Sequence, residues 1–206
     1  MKKIFPLIAM VFAVLIAYFI IFYKKDKPKI AEQTKEVSLV LKKHTDAFNN
    51  NIDSIIDTYL QIKNAFVDAD TATAKSATLL FISKLQALPI EELKKDTTSI
   101  YETAKSNLED IKANANSLLT QTDITEMRKD FSMITEMLYP SFLTTIKYEG
   151  KKLYVAQCPM AFDETTQANW ISNSNEIVNP YLGKNHPKYK AGMLNCGEVV
   201  DSIYAK

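Results

Sequence analysis

For about a hundred residues the apolar positions of this chain return every three or four places. Phe48, Ile52, Ile55, Ile56, Tyr59, Ile62 and Phe66 form the first such stripe and predict a long helix from near Val37 to near Asp68. Asp70 is placed to cap a second helix, whose stripe is Ala74, Ala77, Phe81, Leu85 and Leu88. Pro89 and the acidic pair Glu91 and Glu92 suit the first turn of a short connecting helix. Ile100, Ala104, Leu108, Ile111, Ala115 and Leu118 mark a third helix. Asp123 with Glu126 resembles a capping box for a fourth, with Ile124, Met127, Phe131, Ile134 and Leu138 facing inward. Pro140 has no amide hydrogen to donate and should kink or end that helix.

One-sided stripes of this kind are buried only against one another. The expectation is therefore a mainly α chain folded as an antiparallel four-helix bundle. The pattern changes after residue 149. All four glycines (Gly150, Gly183, Gly192, Gly197), both cysteines and the single tryptophan lie beyond it. Residues 152–156 read as a short strand, followed by a long loop that returns through residues 193–199. The expected organisation is a helical bundle over 37–147 and a loop-rich C-terminal module with short strands over 148–206, both in one globular domain.

The N-terminus has a different pattern. Residues 4–23 contain no charged side chain, and about 20 residues at about 1.5 Å each span the roughly 30 Å of a bilayer's hydrocarbon core. Lys2 and Lys3 flank one end of this stretch and Lys24, Lys25, Lys27 and Lys29 the other. Residues 1–23 are thus expected to form one transmembrane helix, an uncleaved signal anchor, with 24–36 as a charged linker. No small-residue cleavage site follows the stretch. The flanking charges are nearly balanced, so orientation rests on the reading of an export signal left in place. The charges alone slightly favour a cytoplasmic soluble part, while the export-signal reading puts it outside the cytoplasm.

Composition narrows the function. The net charge is +1, and without Lys2 and Lys3 the basic count falls from 25 to 23 against 24 acidic residues. Such a balance, with Arg128 as the only arginine, argues against nucleic acid as a partner. The two histidines, His44 and His186, give no Glu-x-x-His pattern of a di-iron bundle, no Ser/His/Asp set and no other enzymatic constellation. His44 is expected to be solvated near the start of the first helix. Met127, Met133 and Met137 are expected as core and groove filler. Glu198 reads as a solvated strand-end carboxylate, and Asn179-Pro180-Tyr181 as a loop-ordering turn with the tyrosine packed inward.

The chemistry left is sulfur. Each end of the C-terminal loop carries one cysteine and one methionine: Cys158 and Met160 at one end, Met193 and Cys196 at the other. Two readings stand side by side. The cysteines can form a structural disulfide, in keeping with an oxidising compartment and an even cysteine count. Alternatively Cys158 and Cys196 as thiolates, with Met160 and Met193 as thioethers, can hold a soft metal ion such as Cu(I), which sulfur ligands select over hard cations. His186 could add or replace a ligand, and Trp170 could shield the site from water.

Cys158-Pro159-Met160-Ala161, Trp170-Ile171-Ser172, residues 176–183 and residues 193–199 together resemble the motif series of an uncharacterised bacterial domain family common in Bacteroidetes. Tyr59-Leu60-Gln61-Ile62-Lys63 and Met127-Arg128-Lys129-Asp130-Phe131 fit the helical part of that family, and the resemblance spans about residues 52–203. Residues 185–190 lengthen the loop relative to the family pattern, which puts a role for His186 in doubt. The family occurs as small exported proteins and at the C-terminus of periplasmic adaptor subunits of heavy-metal efflux pumps. The resemblance implies extracytoplasmic placement, here a single-pass inner membrane protein with its soluble part in the periplasm, with efflux components as partners and a metal-handling neighbourhood.

Overall fold

The computed structural model describes residues 43–203 together with Tyr18. The expected anchor (apart from Tyr18) and linker lie outside the described residues. Among the described residues, no helix is long and apolar enough to cross a membrane.

Four helices come first: α1 (Asp46–Val67), α2 (Thr71–Ala87), α3 (Thr98–Thr120) and α4 (Ile124–Glu136), with a 3-10 segment (Ile90–Lys95) between α2 and α3. Helices adjacent in sequence pack against one another. Side chains also join α1 to α4: the Tyr59 ring stacks on Phe131 at 5.0 Å, and Phe66 meets the same ring at 5.3 Å. The stripes read from the sequence are the core. Phe48, Ile55, Tyr59, Phe81, Ala104, Ile111, Phe131 and Leu138 are fully buried.

The helix ends follow local chemistry. Asp70 accepts a hydrogen bond from the Thr73 amide at 2.9 Å, as expected of a cap. Asp123 accepts from the amides of Thr125 and Glu126, but Glu126 pairs with Lys129 at 2.7 Å, so Asp123 caps α4 without a reciprocal box. Helix α1 begins later than the sequence suggested. Thr45 is its N-cap, accepting from the Phe48 amide at 3.1 Å, so Asp46 rather than Val37 opens the helix. Pro140 acts as expected: α4 stops at Glu136, and Tyr139 before the proline is extended (φ −142°, ψ 132°).

His44 is not solvated. It is 4% exposed, its ring stacks on Phe48 at 4.6 Å, and its Nε2 lies 2.6 Å from the Ile146 carbonyl oxygen. The partner that removes it from water is 102 residues away in sequence, so no local pattern signals the burial. Of the three methionines expected as filler, Met127 is buried and Met137 packs partly buried against the core. Met133 is 45% exposed instead, because it faces away from the stripe of α4.

The expected long loop is interrupted by a strand. β1 (Leu153–Cys158) pairs antiparallel with β2 (Ala168–Ser172) on one side and with β3 (Glu198–Ile203) on the other, giving the order β2-β1-β3. The turn between β1 and β2 is set by Asp163, whose Oδ1 accepts from the amides of Thr165 and Thr166 at 2.8 and 2.7 Å. The sheet is tied to the helices by polar contacts. Asn169 on β2 donates to the Glu136 carboxylate of α4 at 2.9 Å, and the Ile171 amide donates to the Tyr59 hydroxyl of α1 at 3.1 Å.

Candidate functional site

The register of the sheet brings the two cysteines together. Cys158 closes β1, and Gln157 beside it pairs with Glu198, the first residue of β3. Cys196 lies two residues before β3, at the same end of the sheet. The two Sγ atoms stand 3.9 Å apart and both thiols are free. Cys158 is fully buried and Cys196 half-buried, so the pair opens to solvent on the Cys196 side. Burial and the neighbouring Cys158 sulfur push the Cys196 thiol up.

Two features beyond its own local turn hold Cys196 in place. Gly197 has φ +133°, and a methyl group there would lie 2.5 Å from the Gln157 carbonyl oxygen and 2.9 Å from Trp170 Cη2. Only glycine lets this backbone come so close to β1. On the other side, Asn179 donates through Nδ2 to the Cys196 carbonyl oxygen at 2.7 Å. Trp170 is buried beside Gly197 and meets Tyr181 edge-on at 6.2 Å, so it walls the residue next to Cys196.

The other expected donors lie on flanking turns. Met160 follows β1 and lines a cavity of about 230 Å³ with Phe162, Leu182, His186, Lys188 and Tyr189. Met193 ends a one-turn 3-10 helix (Ala191–Met193), and its carbonyl oxygen accepts from the Cys196 amide at 3.0 Å. His186 is committed elsewhere: its Nδ1 faces the amides of Lys188 and Tyr189 at 3.2 Å each, and its ring stacks on Tyr189. With Nδ1 accepting, the proton sits on Nε2 and neither ring nitrogen has a lone pair to spare for a metal. Burial is the main cause that lowers its pKa, helped by Arg128, Lys188 and Lys190. Among the described residues, no group of three or more His, Cys, Asp and Glu side chains could hold a metal ion. An ion at the cysteine pair would therefore take its further ligands from thioethers, backbone or solvent.

Asn179-Pro180-Tyr181 is the loop-ordering turn that the sequence suggested. Asn179 Oδ1 accepts from the amides of Tyr181 and Leu182, and Tyr181 is buried. What sequence reasoning missed is that the same asparagine reaches Cys196. An Asn before proline marks a turn but says nothing of where its amide points. Glu198 is exposed at the first position of β3, as expected.

The loop between the cysteines is also fastened to the far end of α1. Gly183 (φ +59°) passes Val67 so closely that a methyl group would lie 2.7 Å from its carbonyl oxygen. The Lys184 amide donates to Val67 at 2.8 Å, and Arg128, 4% exposed, donates to the Phe66 carbonyl oxygen at 2.7 Å. Cations at a helix C-terminus are favoured there by the helix dipole.

No curated protein and no solved structure matches the chain. A family model described as "Protein of unknown function" (DUF3347) matches residues 55–148, within the helical part of the chain, and the cysteine pair lies beyond the matched residues.

Proposed function

We propose that the protein is a membrane-anchored, extracytoplasmic accessory of soft-metal handling, which binds one Cu(I)-type ion between Cys158 and Cys196. In this reading residues 1–23 are the anchor, the four helices serve as an antiparallel bundle, and heavy-metal efflux components are the partners. It assigns the chain no catalytic step. The apolar N-terminal stretch and the family resemblance support the placement.

The observation that carries the metal reading is the 3.9 Å between the two sulfurs. Metal–thiolate bonds of about 2.3 Å would span that gap at an S–metal–S angle of roughly 115°. That angle leaves room for a third soft ligand, the role given to Met160 or Met193. Burial of Cys158 would shield a bound ion on one side, and the half-buried Cys196 would offer it an entrance. Titration of the reduced protein with Cu(I) against a competing chelator tests this. One equivalent should bind, with weaker uptake after Met160→Leu or Met193→Leu. Uptake no better than that of a Cys158→Ser/Cys196→Ser double variant would sink the metal reading.

A second reading is favoured by the same distance. The sulfurs need to close by about 1.9 Å to form a bond of about 2.05 Å. The residues are 38 apart, and in the chain-entropy model a loop of that length is worth roughly 4 kcal/mol. The protein would then be an interaction module with a structural Cys158–Cys196 disulfide and no metal. Its mark would be a mass two hydrogens lower for the protein isolated without reductant, together with no Cu(I) uptake.

A further inference from the structure

Asn179 is fully buried and makes five hydrogen bonds. Its backbone amide donates to the Leu194 carbonyl oxygen at 2.8 Å, and its own carbonyl oxygen accepts from the Gly183 amide at 3.0 Å. Its Oδ1 accepts from the Tyr181 and Leu182 amides at 2.8 and 3.0 Å. Its Nδ2 donates to the Cys196 carbonyl oxygen at 2.7 Å. The first four bonds hold the asparagine within its own turn and against residue 194. The fifth hands that rigidity to the half-buried cysteine.

We propose that Asn179 is a positioning residue for the thiol pair: its Nδ2 bond to Cys196 sets the distance at which the Cys196 sulfur stands from Cys158. Cys158 needs no such help, because it is the last residue of a central strand paired on both sides. Cys196 lies in no strand. Its amide donates to the Met193 carbonyl oxygen within a local turn, and beyond that turn its backbone is held by Asn179 on one side and by the close passage of Gly197 over β1 on the other. Of the two, Asn179 is the contact that can change without rebuilding the sheet. The proposal rests on the reading that this pair is the working site, and it applies to a metal ion and to a disulfide alike.

The test separates position from stability, and its first arm needs no metal. Asn179→Asp keeps an oxygen for the Tyr181 and Leu182 amides but loses the donor to Cys196. In the full-length protein, equilibrating the pair with reduced and oxidised glutathione gives the effective concentration of one thiol at the other. Glutathione disulfide takes two electrons from the two thiols and leaves as two molecules of glutathione. The effective concentration should fall by about tenfold in Asn179→Asp, the scale of one hydrogen bond. Asn195→Ala is the comparison. Asn195, the neighbour of Cys196, joins the same two stretches through the Ile177 carbonyl oxygen at 2.7 Å, but it is exposed and its side chain makes no hydrogen bond to Cys196. It should change the equilibrium less than twofold. An unchanged Asn179→Asp equilibrium, or equal losses in both variants, would overturn the proposal. Should Asn179→Asp not fold, the wild-type protein decides. The side-chain amide resonances of Asn179 should shift when Ag(I) is added or when oxidised glutathione closes the pair. Signals unmoved by both would overturn it. A failed Cu(I) titration leaves this proposal standing, because the glutathione equilibrium is read in the absence of metal.

Discussion

Tyr59 joins three parts of the molecule through one oxygen. Its ring lies in the stripe of α1, while its hydroxyl meets Thr135 of α4 at 2.7 Å and accepts from the Ile171 amide of β2 at 3.1 Å. All of these groups are buried, so Tyr59→Phe strands a backbone amide without water. The expected cost is about 1–3 kcal/mol, read as a lower urea midpoint with little change in slope. The sequence shows Tyr59 as an inward position because helical spacing is local. The purpose of its hydroxyl is not legible there, since Thr135 and Ile171 are 76 and 112 residues away. The cysteines repeat the lesson. Their types and their pairing as two arms of one loop could be read directly, but their meeting depends on the register of β1 with β3. Asn179 was readable as a turn and unreadable as a clasp.

At the scale of elements, the helices were legible because each announces itself by a stripe, and α2 and α4 by a cap as well. The start of α1 was not, because its cap is secured from outside. Glu92 of the 3-10 segment accepts from both the amide and the hydroxyl of Thr45, and from Lys95 at 2.9 Å. Burial works against the ionised carboxyl, but the Thr45 and Lys95 hydrogen bonds outweigh it and hold the Glu92 pKa down to about 2. The sign follows from linkage. A folded-state pKa below the unfolded one stabilises the protein above the ordinary carboxylate range, and that contribution is lost as pH falls toward about 2. Urea midpoints measured between pH 5 and pH 2 should therefore decline, and Glu92→Gln should flatten part of that decline while lowering the midpoint at pH 7. Strand β2 escaped notice for a different reason. Five residues with two polar positions among them pass for loop until Asp163 turns the chain back along β1.

Across the whole molecule, residues 40–206 group as one unit and residues 1–39 as another. A protein beginning at residue 40 should consequently melt in a single cooperative step with its helical signal intact. Loss of that cooperativity in circular dichroism would show that the first 39 residues are needed for folding. The order of the three strands and the fastening of the loop to α1 were beyond sequence reasoning, since the first is made by backbone groups that every residue carries and the second joins residues 116 apart.

The long-range fastenings of the helical part to later segments have a consequence in time. The links from His44 to Ile146, Tyr59 to Ile171 and Asp68 to Lys184 close intervals of 102, 112 and 116 residues. Long intervals are costly to close before other contacts reward them, so such pairings form late. The two thiols face each other only after β1 and β3 have found their register. Their proximity is therefore a late milestone, and the rate at which the pair becomes able to cross-link during refolding should track the slowest step of assembly rather than the appearance of helix.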